Sequence, residues 1–221
     1  DLIDRGYLSL QDESSMLVAR ALGAEASDHV LDSCAAPGGK AMHIAEGLTT
    51  GTLQALDLHP HKIKLIEQQA TRLGLTTVQA EALDARKAGD RFEVESFDRI
   101  LVDAPCSGLG VIRRKPDIKW TKRPEQLEQL PKIQRDILTS VLPLVKKGGT
   151  FVYSTCTIDP TENEEQTAFI LDQGFDFDAS FAERMPESVR HLIGNRAELK
   201  LLPTTVGTDG FYIAAFKKRE D

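Results

Sequence analysis

Phe97-Asp98-Arg99-Ile100-Leu101-Val102-Asp103-Ala104-Pro105-Cys106-Ser107-Gly108 is the stretch that decides the fold. A nearly unbroken apolar run ends on an acid, a proline, a cysteine and a glycine. Such a run fits a strand buried on both faces, as strands of parallel sheets are. Fifty residues on, Thr150 to Ser154 repeats the arrangement, and Thr155-Cys156-Thr157 follows it. In an open α/β sheet the carboxyl ends of the strands form the ligand crevice. Two thiols at neighbouring strand ends, one preceded by a carboxylate, point to covalent chemistry.

The segments on either side alternate in type. Upstream, Val30-Leu31 enters a short strand ending near Asp32, and Ala35-Ala36-Pro37-Gly38-Gly39 turns into a helix opening near Lys40 and reaching about Glu46. Thr52 to Asp57 reads as a second strand closing on an acid. Pro60 to Leu73 is a helix, with proline at its start and Ile63, Ile66, Ala70 and Leu73 at helical spacing before Gly74. Thr76 to Ala80 is a weaker third strand, with Asp84 just beyond it. Asp12 or Ser14 caps an earlier helix through Ala21, while residues 1–11 run over the surface. Downstream of a charged loop at 86–96 and the strand 97–103, Glu125 to Leu142 is the clearest helix. Pro131 marks a kink or a helix start within it. Thr161 caps a helix through Leu171, with Glu164 at the capping-box position. Residues 172–202 carry no clear pattern, and Phe211 to Phe216 is a final strand entered through Asp209-Gly210. Strands alternating with helices, and acids at strand ends, define a doubly wound, mostly parallel sheet. The division expected is an amino-terminal extension and helix (1–26) packed on one domain (27–221).

At 221 residues, 41% hydrophobic and 28% charged, the chain has the make-up of one globular domain. No run approaches the ~20 apolar residues of a membrane span, and the first residues lack a signal peptide's basic start and apolar core. The absence of an initiator Met is read as a piece of a longer chain. Three cysteines without a CxxC pair form no disulfide framework, so a reducing, cytoplasmic setting is expected. His29, His43, His59, His61 and His191 show no metal-ligand grouping, and no metal is expected; His59-Pro60-His61 reads as a helix-start turn. The net charge of −7 argues weakly against a nucleic-acid partner. Its distribution argues the other way. Between Val111 and Pro124 stand six basic residues, Arg113, Arg114, Lys115, Lys119, Lys122 and Arg123, against one acid, Asp117. Beside the Cys106 loop, with Trp120 as a stacking ring, this run reads as a phosphate-contacting lip.

The turn Asp32-Ser33-Cys34-Ala35-Ala36-Pro37-Gly38-Gly39-Lys40 has neither GxGxxG nor GxxxxGK[ST]. A close glycine turn without a phosphate cradle suits a ligand lacking phosphates, and S-adenosylmethionine fits. Its charged amino-acid end would meet backbone and the Asp32 region, Asp57 would bond the ribose hydroxyls, and Asp84 would sit near the adenine.

Three segments, Cys34 to Lys40, Asp103 to Gly108 and Ser154 to Thr157, resemble the signature motifs of the RNA 5-methylcytosine methyltransferases of the Nop2/Sun family. Gly6-Tyr7-Leu8 through Ser15 is similar to that family's leading motif. Arg113 to Trp120 and Asp209 to Tyr212 are especially similar to its bacterial ribosomal members. Ala41 stands where the family usually has Thr, and Leu83 where Gly is more usual. The resemblance implies a class I S-adenosylmethionine-dependent methyltransferase with a Rossmann-like, seven-stranded sheet whose last strand is antiparallel. It implies Cys34, Ala35, Ala36, Pro37, Gly38, Gly39, Lys40, Asp57, Asp84 and Asp103 as cofactor residues, with Cys34 otherwise a small buried hydrophobe. It also implies Cys156 as the nucleophile, Cys106 in product release, and Asp103 near nitrogen 3 of the cytosine. Arg113, Arg114, Lys115, Lys119 and Trp120 are the expected RNA contacts. The family's ribosomal members carry an amino-terminal helical RNA-binding domain, which these residues do not include. Small-subunit (16S) ribosomal RNA is the expected substrate and a monomer the expected state. The competing readings are the same reaction on transfer RNA, and a catalytically silent RNA-binding module. A free thiol titrates near 8.5, so Cys156 needs an electropositive or hydrogen-bonding setting, from Lys40 or from the 113–115 run.

Overall fold

The computed structural model describes residues 1–121 and 124–221, with only the backbone of Lys119 and Thr121. Its centre is the strand that the opening stretch predicts, β4 (Phe97–Asp103), which lies between β1 (His29–Asp32) and β5 (Val145–Thr155). β2 (Thr52–Asp57) and β3 (Val78–Ala82) extend the sheet on the β1 side; β8 (Phe211–Lys218) extends it past β5. The five strands from β3 to β5 are mutually parallel, and β8 runs antiparallel to β5.

The expected seven strands become eight among the described residues. The outer edge of β8 is shared by two short antiparallel partners from the unassigned region 172–202. β6 (Phe175–Phe177) pairs with its end and β7 (Glu198–Leu201) with its beginning. Neither has enough alternating residues to announce itself, because each is specified by the edge it covers rather than by its own periodicity.

Residues of β4 alternate between two cores. Leu101 joins Val30, Leu53, Val152 and Ile213 on one face, against α1 (Glu13–Leu22), α2 (Gly39–Ala45) and α3 (Pro60–Leu73). Ile100 and Val102 join Phe151, Tyr153 and Phe216 on the other. That side is covered by α4 (Pro124–Val141) and α5 (Glu164–Asp172). All of these strand residues are fully or almost fully buried. Truncating one of the larger ones to alanine costs about 2–5 kcal/mol.

Several local expectations shift. Asp12 does cap α1, its carboxylate accepting from the Ser14 amide at 3.1 Å. α4 runs through Pro131 without a break in assignment, since its exposed first half needs little from the missing amide bond. α5 starts at Glu164 behind Asn163, so Thr161 is not its cap; the Thr161 amide and hydroxyl instead donate to Asp159. The charged 86–96 loop contains a short helix, Ala88–Arg91. Residues 1–11 run over the surface as expected, none of them buried, and they are fastened there. Arg72 of α3 donates to the carbonyls of Ile3 (2.7 Å) and Leu8 (3.1 Å) and to the Ser9 hydroxyl (2.9 Å), holding the segment across α3.

Candidate active site

The strand order reverses direction between β1 and β4, so the carboxyl ends of these two strands open the crevice. β1 ends on Asp32 and β4 on Asp103. The turn after β1 is held by both neighbours: the Ser33 amide donates to Leu101 of β4 (3.1 Å) and the Ala35 amide to Leu56 of β2 (2.8 Å). Gly38 takes φ +112°, a backbone conformation that side chains resist, before α2 begins. This turn borders a cavity of about 240 Å3 together with Asp32, Lys40 and Asp103. Gln11 and Asp12 line it too, so the leading segment contributes to the wall. Sequence reasoning missed that; the signal was polar residues just ahead of a helix cap.

Asp32 is 1% exposed, and among the described residues neither of its carboxylate oxygens has a hydrogen-bond partner of standard geometry. Burial first, and the nearby Asp103 charge second, push its carboxyl up to about 7, with Lys40 opposing. Lys40 donates to Asp103 at 2.7 Å, and the Ser154 hydroxyl donates to the other Asp103 oxygen at 2.9 Å. Burial works against the Lys40 charge, but Asp103 outweighs it and the ammonium is held above its ordinary range.

The β4–β5 register sets Asp103 opposite Ser154. Cys106 and Cys156 follow in the two adjoining loops, and their sulfurs are 3.3 Å apart. The hydrogen bond from Cys106 lowers the Cys156 thiol below its usual value; burial and Asp103 oppose it, and Lys40 helps. Cys106 is correspondingly pushed well up, by its bond to Cys156 and then by burial. Of the two sources considered for the acidity of Cys156, Lys40 is the one present, added to a donor that sequence reasoning did not consider. Cys34 behaves differently: burial pushes its thiol far up, as for an inert core residue.

The two cysteine loops are fastened from behind. Glu162, 2% exposed, accepts from the Ser107 amide (2.9 Å) and from Gln134 of α4 (2.8 Å). Gln134 also donates to the Pro105 carbonyl at 2.9 Å. The Ser107 and Thr157 hydroxyls bond at 2.7 Å, and the Gly110 amide donates to the Cys156 carbonyl at 3.0 Å. A Cβ on Gly110 would lie 2.1 Å from the Gly210 carbonyl oxygen and 2.8 Å from that of Cys156. Glu162 and Gln134 read in the sequence as ordinary helix-region polar residues; only tertiary packing turns them inward.

Other expected residues lie further out. Neither Asp57 nor Asp84 borders the 240 Å3 cavity. Asp57 ends β2 and accepts from the His59 amide at 2.9 Å. Asp84 caps the turn Ala85–Lys87 and pairs with Arg86 at 2.7 Å, a bond that lowers its carboxyl. In the basic run, Arg113 donates to the Gly207 carbonyl at 3.2 Å, and Arg114 is ion-paired with Asp12 and Asp209. Lys115 is exposed, and Trp120 is 86% exposed. The Lys119 side chain, Lys122 and Arg123 lie outside the described residues. No three His, Cys, Asp or Glu among the described residues are grouped to hold a metal ion, and no helix there is long and apolar enough to cross a membrane.

A parallel sheet with this order, its crevice at the reversal and its antiparallel β8 define a Rossmann-like fold of the S-adenosylmethionine-dependent methyltransferase class. Residues 19–217 match the family described as 16S rRNA methyltransferase RsmB/F, and the chain belongs to that family. It is 56% identical over 217 residues to the probable ribosomal RNA small subunit methyltransferase B of Bacillus subtilis, covering 97% of this chain and 48% of that protein. For the ribosomal RNA small subunit methyltransferase B of Vibrio cholerae the identity is 38%, covering 97% and 47%. The chain thus spans about half the length of these curated relatives. Among solved structures, that of NSun6 from Pyrococcus horikoshii with SFG, an S-adenosylmethionine analogue, superposes with a TM-score of 0.85. It is 32% identical and covers 100% of this chain and 56% of that one.

Proposed function

We propose that the chain transfers a methyl group from S-adenosylmethionine to carbon 5 of a cytosine in RNA, small-subunit ribosomal RNA being the substrate, through a transient bond to Cys156. The observation that carries this reading is the pair of thiols 3.3 Å apart at the ends of β4 and β5, beside the Lys40–Asp103 ion pair. Methylation of an oxygen or an exocyclic amine has no use for two such thiols.

The residues fit the cofactor. Asp32 is buried at the cavity wall without a partner of standard geometry among the described residues, a position that favours a cationic group such as the ligand's ammonium. The turn from Cys34 to Lys40 would hold the amino-acid end, with Asp57 and Asp84 assigned to the ribose and adenine. When bound, S-adenosylmethionine supplies an electrophilic methyl group.

Carbon 5 of cytosine is too weak a nucleophile to take that group unaided. The Cys156 thiolate adds to carbon 6, and the electron pair of the 5,6 double bond moves onto the ring. Asp103 positions the ring edge at nitrogen 3, and the Lys40 ammonium paired with it offsets the negative charge that develops there. That pair would then form the bond from carbon 5 to the methyl carbon, whose bond to the ligand's sulfur would break with its electrons kept by the sulfur, leaving S-adenosylhomocysteine. Once the Cys156 sulfur is bonded to carbon, it no longer accepts from Cys106. Cys106, its own proton passed to solvent, then takes the proton from carbon 5. The double bond re-forms and the carbon–sulfur bond breaks, restoring Cys156. Splitting one difficult substitution into addition and elimination is the advantage of covalent catalysis.

The test is incubation with labelled S-adenosylmethionine and small-subunit ribosomal RNA or transfer RNA, followed by nucleoside analysis. Cys156→Ala is expected to lose 5-methylcytosine formation by about 10^5-fold or more, as for removal of other nucleophiles. Cys106→Ala is expected to accumulate a protein–RNA adduct that survives denaturing gels. Full turnover by the Cys156 variant overturns the mechanism; product on transfer RNA alone overturns the substrate.

A further inference from the structure

We propose that Arg114 is a positioning residue that ties the wall of the cofactor cavity to the loop bearing Cys156, and not a contact to RNA phosphate. The inference rests on the proposed reaction for its consequences, but its geometry stands apart from that reading.

Arg114 lies in the basic run that the sequence marks for nucleic acid, and although its side chain is 53% exposed, its guanidinium is engaged by two carboxylates of its own chain. It is paired with Asp12 at 3.1 Å and, more closely, with Asp209. Asp209 is 2% exposed and its carboxylate receives no hydrogen bond from any other described group, so Arg114 is what meets its buried charge. A carboxylate so placed is strongly disfavoured without its cation.

Each partner leads to one half of the site. Asp12 lines the 240 Å3 cavity and caps α1 through the Ser14 amide. Asp209 precedes Gly210, whose amide donates to the Gly110 carbonyl at 2.8 Å. The Gly110 amide in turn donates to the carbonyl of Cys156 itself at 3.0 Å. One side chain therefore closes a continuous connection from the cavity wall to the nucleophile's backbone. Both Arg114 and Lys115 are exposed, but a phosphate at Arg114 would have to compete with two carboxylates already paired to it.

Three measurements on the whole chain separate the two roles: S-adenosylhomocysteine affinity by calorimetry, the rate of Cys156 alkylation by iodoacetamide as a function of pH, and the salt dependence of ribosomal RNA binding. Arg114→Gln is expected to weaken S-adenosylhomocysteine and change the Cys156 alkylation profile, each by about tenfold, within the range for coupled contacting groups. Asp209→Asn, too buried to touch RNA, is expected to give the same changes, and the double variant no more than either alone. Arg114→Lys, which keeps the charge, is expected to recover part of both. The slope of RNA affinity against salt stays as in the parent. The opposite pattern overturns the proposal: a slope reduced by about one phosphate contact, with cofactor affinity and Cys156 reactivity unmoved. Independent, additive effects of the Arg114 and Asp209 variants also overturn it. If the parent chain bound S-adenosylhomocysteine but methylated no RNA, the reaction assignment would fail while the alkylation comparison still judged Arg114.

Discussion

Replacing Asp32 by asparagine removes a buried carboxyl whose charged form the fold disfavours. The group titrates near 7 in the folded chain and near 3.8 when free. At about 1.4 kcal/mol per pH unit, its ionisation above neutrality costs the folded state up to about 4 kcal/mol. The sign follows from proton counts. Between pH 4 and 7 the folded chain holds the Asp32 proton and the unfolded chain has lost it, so folding stability falls as pH rises through that window. Above 7 both forms are ionised and the loss is complete. Asp32→Asn is nearly isosteric and cannot ionise. Its stability relative to the parent is expected to be near zero at pH 4, to climb through the window, and to level off above pH 7. Urea unfolding of both proteins from pH 4 to 8.5, without ligand, yields this difference directly. The plateau is an upper figure, because local opening to water relieves part of the penalty. The variant is also expected to bind S-adenosylhomocysteine more weakly, so stability and ligand affinity move in opposite directions. Two parallel stability curves, with no pH dependence in their difference, would refute the reasoning, since they would mean that Asp32 is ionised in the fold at no cost.

Two further outcomes test the cysteine loops. Gly110→Ala sets a Cβ against the Gly210 and Cys156 carbonyl oxygens, which flexible side chains cannot relieve. A stability loss of about 1–3 kcal/mol is expected in thermal or urea melts, along with slower Cys156 alkylation; an unchanged melt would show that the loops can part freely. The pH profile of Cys156 alkylation should have its midpoint below that of an ordinary thiol. Cys106→Ala, by deleting the largest cause of that shift, should move the midpoint up, and a midpoint unmoved by the substitution would assign the acidity to Lys40 instead.

Much of this was legible in the chain itself. Continuous apolar runs ending on Asp32, Asp57 and Asp103 required buried parallel strands with acids at one edge. Helical spacing in α3, bracketed by Pro60 and Gly74, defined that element almost to the residue. These features are local, set by neighbouring residues and by chain geometry. β6 and β7 were not legible, because three or four residues on an edge have no period of their own. The same limit applied to Glu162 and Gln134, whose burial comes from α4 packing beside the Cys106 loop.

The sequence by itself determined the fold class, the cysteine pair, and the glycine turn that leaves room for a ligand without phosphates. What the tertiary structure alone decided is the relation between them. A register that sets Asp103 opposite Ser154 brings two thiols fifty residues apart to 3.3 Å, and so makes one a donor to the other. It also gave Arg114, in the basic run, a buried partner in Asp209. The physical reason is common to both. Residue type and spacing specify what a side chain is able to do, whereas its charge state and partner depend on burial and on groups distant in sequence.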